Sequence, residues 1–115
     1  MKKIDFTVLI PVYNTKAAEL IEAAFSVHKS KQSINQDYDV LLIDDGSTNE
    51  DTLKALKELE FQDGFRVHYK KENGGTSSAL NKGHELAGTE WVAIMGSSDV
   101  SFPNRFKLQV EHLLK

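Results

Sequence analysis

Val40-Leu41-Leu42-Ile43-Asp44-Asp45-Gly46-Ser47-Thr48 sets four apolar residues without alternation directly before two carboxylates, a glycine and two hydroxyls. An unbroken apolar run of this length suits a strand covered on both faces, as in a parallel sheet. In open sheets of that kind ligands bind outside the carboxyl ends of the strands. The polar residues that follow Ile43 are therefore both a turn and a candidate site.

Three further runs extend the pattern: Phe6-Thr7-Val8-Leu9-Ile10, Phe65-Arg66-Val67-His68-Tyr69 and Trp91-Val92-Ala93-Ile94-Met95. The Phe65 run alternates and suits a more exposed strand, whereas the Trp91 run is continuous. Between the runs, apolar residues recur at helical spacing. Leu20, Ile21, Ala24 and Phe25 with Val27 and His28 form one face, Leu53, Leu56 and Leu59 a second, and Ala79, Leu80, Gly83, Leu86 and Ala87 a third. Start signals agree: Asn49 or Glu50 as the cap before the second helix, Thr76 or Ser77 as the cap before the third, and Pro103 opening a fourth that carries Phe102, Phe106, Val110 and Leu113. The order βαβαβαβα predicts an α/β fold: a Rossmann-like, mostly parallel sheet of about four strands, flanked by helices and joined by right-handed crossovers.

The chain has 115 residues, 14 Lys+Arg against 17 Asp+Glu, a net charge of -3 and no cysteine. One core is within reach of such a length and a second domain of ordinary size is not, so residues 1–115 are read as a single domain. The acidic balance, with no basic cluster, argues against nucleic acid as a partner. Without cysteine there are no disulfides, thiolate zinc sites or thiol nucleophiles. No run approaches the roughly 20 apolar residues of a membrane span, and the expectation is a domain on the cytoplasmic side. The last helical pattern reaches Leu113-Leu114-Lys115 without a stop glycine, so the expectation is a domain truncated at its C-terminus, the alternative being a frayed helix end.

The segments after the four runs are Pro11-Val12-Tyr13-Asn14, Asp44-Asp45-Gly46-Ser47, Lys70-Lys71-Glu72-Asn73-Gly74-Gly75 and Gly96-Ser97-Ser98-Asp99. Asp44-Asp45 reads either as a turn whose Asp or Ser caps the next helix, or as a carboxylate offered to a ligand's N–H or hydroxyl. Only one of two adjacent aspartates can aim at a helix end. Asn73-Gly74-Gly75-Thr76-Ser77-Ser78 reads either as a flexible loop tip or as a helix-start anion site. It lacks the lysine of a nucleotide P-loop, and no Gly-x-Gly-x-x-Gly follows the first run. His28, His68, His84 and His112 show no metal-ligand spacing.

The four blocks together, Val8 to Asn14, Leu42 to Thr48, Glu72 to Gly75 with Asn81-Lys82-Gly83, and Pro103-Asn104-Arg105-Phe106, closely resemble the family 2 glycosyltransferases of the GT-A fold. The resemblance implies the N-terminal half of such an enzyme, binding a nucleotide-sugar donor, usually a uridine diphosphate sugar, for transfer to an acceptor hydroxyl. By that resemblance Pro11, Val12 and Tyr13 line the nucleoside pocket beside Asn14, with Tyr13 near the base. Asp45 holds the base or ribose with Asp44 beside it, Asn73, Gly74 and Gly75 border the nucleotide, and Asn81 faces the cleft. Leu80 stands where the family often carries an arginine.

The family's Asp-x-Asp metal motif falls on Gly96 and Ser98, leaving Ser97 and Ser98 as hydroxyl contacts and Asp99 as the one carboxylate for Mn2+ or Mg2+. Binding of such a cation is expected to be weak, because a hydroxyl offsets its desolvation less than a carboxylate. The family's catalytic base and acceptor site lie beyond this length, so no catalytic residue is assigned and the isolated chain is expected to turn over little or not at all. The alternative is a non-catalytic module of the same fold that holds a nucleotide or a protein. Self-association follows if a missing half normally covers one sheet edge. A receiver-type signalling domain shares the βα alternation but places its acidic pair after the first strand, and here the pair follows the second.

Overall fold

Each of the four apolar runs forms a strand, and all strand pairs are parallel. The computed structural model describes residues 6–34, 38–89 and 91–98. Along the chain these make β1 (Phe6–Val12), α1 (Ala17–Ile34), β2 (Asp39–Asp44), α2 (Glu50–Glu60), β3 (Phe65–Tyr69), α3 (Thr76–Ala87) and β4 (Trp91–Ile94). The strands lie in the order β3-β2-β1-β4. The α/β expectation of a four-stranded parallel sheet flanked by helices is met. The helix expected from Pro103, and Asp99, lie outside the described residues.

Side-chain parity divides the core between the two faces of the sheet. Val8, Ile10, Val12, Val40 and Leu42 pack with Leu20, Ala24 and Val27 of α1 and Ala55, Leu56 and Leu59 of α2. Leu9, Leu41 and Ile43 point the other way, where Ala79 of α3 and the partly buried Leu80 and Leu86 cover them. The unbroken apolar run of β2 follows directly, since both of its faces are roofed. β3 is an edge strand with only Phe65 fully buried, which explains its alternation.

β1 runs two residues further than its apolar run, through Pro11 and Val12. Pro11 is accommodated by direction. The Leu9 carbonyl accepts from Met95 N and the Val12 carbonyl from Asp45 N, so Pro11, of the same parity as Leu9, turns its missing N–H toward β4. The last β1–β4 pair is Leu9 with Ile94, and past it no ladder bond of the described strands is lost.

Three local readings are corrected. Phe25, placed on the inner face of α1 by periodicity, is 42% exposed and meets Phe65 edge to face at 5.8 Å between centroids. At α3 the N-cap is Gly75, without a side-chain cap, rather than Thr76 or Ser77. At α2 neither Asp44 nor Asp45 caps. Asn49 does, its side chain accepting from Thr52 N at 3.0 Å.

Close approach of α3 to β1 requires Gly83. A Cβ there would lie 2.2 Å from Leu9 Cδ1, and Leu9 is fully buried. Gly83→Ala is expected to destabilise the domain by about 1–3 kcal/mol, the usual cost of overpacking, with part of the loss recovered by adding Leu9→Val. Urea unfolding of the two variants measures both effects.

Candidate functional site

The strand order places the topological switch between β1 and β4, since the chain moves from β1 to β2 and β3 and then crosses to the far side of β1. At the carboxyl ends, four polar segments converge. Asp45 lies one residue beyond β2, and Lys70 one residue beyond β3. The ladder pairs Asp44 with Tyr69, so its continuation sets Asp45 beside Lys70. Lys70 N also donates to Asp44 O at 2.8 Å.

The carboxylate of Asp45 is buried, at 3% exposure, and heavily bonded. Oδ1 accepts from Lys70 Nζ at 2.6 Å and Gly74 N at 3.0 Å. Oδ2 accepts from Gly75 N at 2.8 Å and Asn73 Nδ2 at 3.1 Å. Asn73 Nδ2 also donates to the Asp45 carbonyl at 3.1 Å. A carboxylate offers about four lone-pair positions, and these four donors fill them. Gly46 is needed beneath, with φ of 79°, because a Cβ there would lie 2.8 Å from Asn73 N.

A second brace joins the β1 and β2 ends. Asn14, in the left-handed region at φ 50°, donates its N–H to Ser47 Oγ at 2.9 Å. Its Oδ1 accepts from Thr48 N at 2.8 Å and Asn49 N at 2.9 Å. Asp44 is buried too, with Oδ1 accepting from Ser47 N at 3.2 Å. Thr15 ties three elements: its carbonyl accepts from Thr52 Oγ1 at 2.6 Å, and its hydroxyl shares a hydrogen bond with Ser97 Oγ beyond β4.

The structure thus brings Asp45 together with Asn73, Gly74 and Gly75, Asn14 with Ser47, and Ser97 with Thr15. Tyr13 stands at the rim, 52% exposed. Pro11 is partly buried, whereas the side chain of Val12 turns into the core and leaves only its carbonyl at the site, on Asp45 N. Asn81 is exposed on α3, and Ser98 is exposed after β4. Lys70, Thr15 and Ser78 carry contacts that motif reading missed. A signal for Lys70 was present: a lysine one residue past a strand whose parallel neighbour ends in aspartate.

The described residues do not suit a hard divalent cation. Among them no three His, Cys, Asp or Glu side chains come together. Asp44 and Asp45 are engaged by backbone and Lys70, and the segment after β4 offers glycine and hydroxyls. No chemical step is therefore assigned to a metal.

Burial acts to raise the Asp45 carboxyl, but Lys70, Gly74 and Gly75 outweigh it and hold it below the usual carboxylate range. A lowered folded-state value means stability that is present above the unfolded value of about 3.9 and is lost as pH falls through the folded one. Asp45→Asn should therefore be less stable than the parent at neutral pH, with the gap closing below about pH 4. Unfolding curves across pH 2–7, on the order of one per pH unit, test this sign.

Comparison with known proteins agrees with the fold. The sequence pattern of the family described as "Glycosyl transferase family 2" matches residues 7–115. An uncharacterised glycosyltransferase of Mycoplasma pneumoniae is 34% identical over 104 residues, covering 88% of this chain and 34% of that protein. The glycosyltransferase GlyG of Streptococcus pneumoniae is 33% identical over 95 residues, covering 82% of this chain and 30% of its own length. Against an uncharacterised glycosyltransferase of Rickettsia conorii the match is 29% over 95% of this chain but 17% of that protein. The chain thus spans about a third or less of the relatives it matches.

In structure, a mannosyltransferase from Pyrobaculum calidifontis, solved in complex with GDP-Man and Mn2+, superposes with a TM-score of 0.84 at 19% identity, over 100% of this chain and 34% of that one. Residues 1-349 of TarS from S. aureus superpose with a TM-score of 0.76 at 24% identity, over 96% of this chain and 32% of that one. These two likenesses establish a common fold. With its sequence matched from residue 7 to residue 115, this chain belongs to glycosyl transferase family 2.

Proposed function

We propose that residues 1–115 form the donor-binding part of a family 2 glycosyltransferase, taking a nucleoside diphosphate sugar, preferably a uridine diphosphate sugar. In the complete protein the sugar passes to an acceptor hydroxyl: the hydroxyl oxygen bonds to the anomeric carbon, the bond to the diphosphate breaks, and the hydroxyl proton goes to a base. This chain's share is to bind and orient the donor. The observation that carries the reading is the Asn73-Gly74-Gly75 loop drawn onto the buried Asp45 carboxylate at the strand ends, beside the exposed ring of Tyr13.

Tyr13 offers its ring to the base, which stacks on aromatic faces whatever its sequence identity. Asp45 receives an N–H or hydroxyl of the nucleoside. Its four acceptor positions are filled, so the incoming donor takes the place of Asn73 Nδ2, the more distant of the two Oδ2 partners and an exposed side chain. Gly74 and Gly75 let the main chain approach the diphosphate. Asn14, Asp44, Ser97 and Asn81 shape the surrounding wall.

A second reading rests on a separate observation: Gly96 and Ser98 carry no carboxylate where the family's metal motif falls. On that reading the chain holds a nucleotide without assisting its departure, and Asp99 alone binds Mn2+ or Mg2+ weakly. Calorimetric titration with UDP, GDP and their sugar conjugates, with Mn2+, Mg2+ or chelator, tests both. Binding of a UDP-sugar is expected, and silence toward every nucleotide overturns the donor-binding proposal. Metal-independent binding favours the second reading. If missing carboxylates are the cause of weak metal use, Gly96→Asp with Ser98→Asp should bring Mn2+-dependent UDP binding. A pair of substitutions without that gain would place the fault in the cleft's shape.

A further inference from the structure

Lys70 opens one of the strand-end segments but lies outside the blocks that carry the family resemblance, and its side chain is anchored at both ends. Its main chain is held by the sheet, through Lys70 N on Asp44 O at 2.8 Å. The side chain is only 15% exposed, and its ammonium lies 2.6 Å from Asp45 Oδ1 and 2.6 Å from Ser78 Oγ in the first turn of α3. Gly74 sits directly over this contact: a Cβ at that position would be 2.9 Å from Lys70 Nζ and 2.6 Å from Ser78 Oγ. One cation therefore spans the end of β2 and the start of α3, with the glycine loop laid across it.

The charge matters as much as the reach. Without Lys70, the Asp45 carboxylate would be a buried anion held only by two amide N–H groups and the Asn73 amide, and an uncompensated buried charge is costly. The carboxylate would turn toward water, and the N–H groups of Gly74 and Gly75 would lose their acceptor. α3 has no side-chain cap of its own, so the Gly75 N–H on Asp45 is, with the Lys70–Ser78 bond, a tie between this helix start and the strand ends.

We propose that Lys70 is a positioning residue for the donor nucleotide: by gripping Asp45 on one side and Ser78 on the other, it holds the glycine loop and the start of α3 against the end of β2, where the nucleotide is bound. The inference rests on the donor-binding reading given above. It adds to that reading a residue that touches no substrate and acts through Asp45 and the glycine loop.

Two measurements separate this role from general stability and from the donor-binding reading itself. The first needs no nucleotide: amide hydrogen exchange at Gly74 and Gly75 should quicken about tenfold or more in Lys70→Met, as for loss of a charged hydrogen bond, while exchange in the β1 and β2 core stays unchanged. Unchanged exchange at the two glycines overturns the inference, even if the urea midpoint falls. The second is UDP titration, in which Lys70→Met should weaken binding about tenfold or more, and adding Asp45→Asn should weaken it little further, because the two residues act as one unit. Fully additive losses, or unchanged affinity, also overturn it. If Lys70→Met fails to fold, Ser78→Ala removes one arm of the grip and must show the same loop-selective exchange. A parent chain that binds no nucleotide ends the donor-binding reading, whereas the exchange measurement still decides whether Lys70 holds the loop.

Discussion

A carboxylate buried at the end of a sheet has to be answered by donors, and the arrangement around Asp45 follows from that requirement. Removing an anion from water costs several kcal/mol unless charge and hydrogen bonds replace the solvent. Lys70 supplies the charge, and Asn73, Gly74 and Gly75 supply the remaining donors. Satisfying one side chain thereby folds the β3–α3 loop onto the end of β2 and aims the first turn of α3 at the same place. Gly46 and Gly74 are where that closure leaves no room for a Cβ.

The sheet makes the closure possible. Parallel pairing in register sets Asp45 and Lys70 side by side, and the two-sided core keeps β2 from shifting by one residue, which would exchange its faces. Gly83 lets α3 lie directly on Leu9, so the helix that carries Ser78 is held close to β1 and its start is fixed relative to the strand ends. On the other side, Asn14 bridges to Thr48 and Asn49, and Asn49 in turn caps α2. The site is a set of loops whose ends are clamped by their neighbours, which gives short polar segments a defined shape.

Much of this was legible in the residues. Unbroken apolar runs separated by helical spacing stated a parallel sheet, and the clustering of small polar residues after each run marked the carboxyl ends where those segments meet. Asn49 as a helix start and Gly83 as part of the inner face of α3 were also readable. Phe25 was misjudged because periodicity reports a direction around a helix and not how far the neighbouring sheet extends. The start of α3 was misjudged because hydroxyl residues are common caps, and here a remote carboxylate holds the Gly75 N–H instead.

The sequence by itself determined the α/β class, the order of the described strands and helices, the family and the polar segments that meet at the strand ends, because these depend on local periodicity and on short motifs. Only the tertiary structure decided which partners those segments take. Asp45 and Lys70 are 25 residues apart, and Asn14 and Thr48 are 34 apart. Contacts over such distances are set by the lateral order of strands and the register between them, and neither is written in the spacing of residues along the chain.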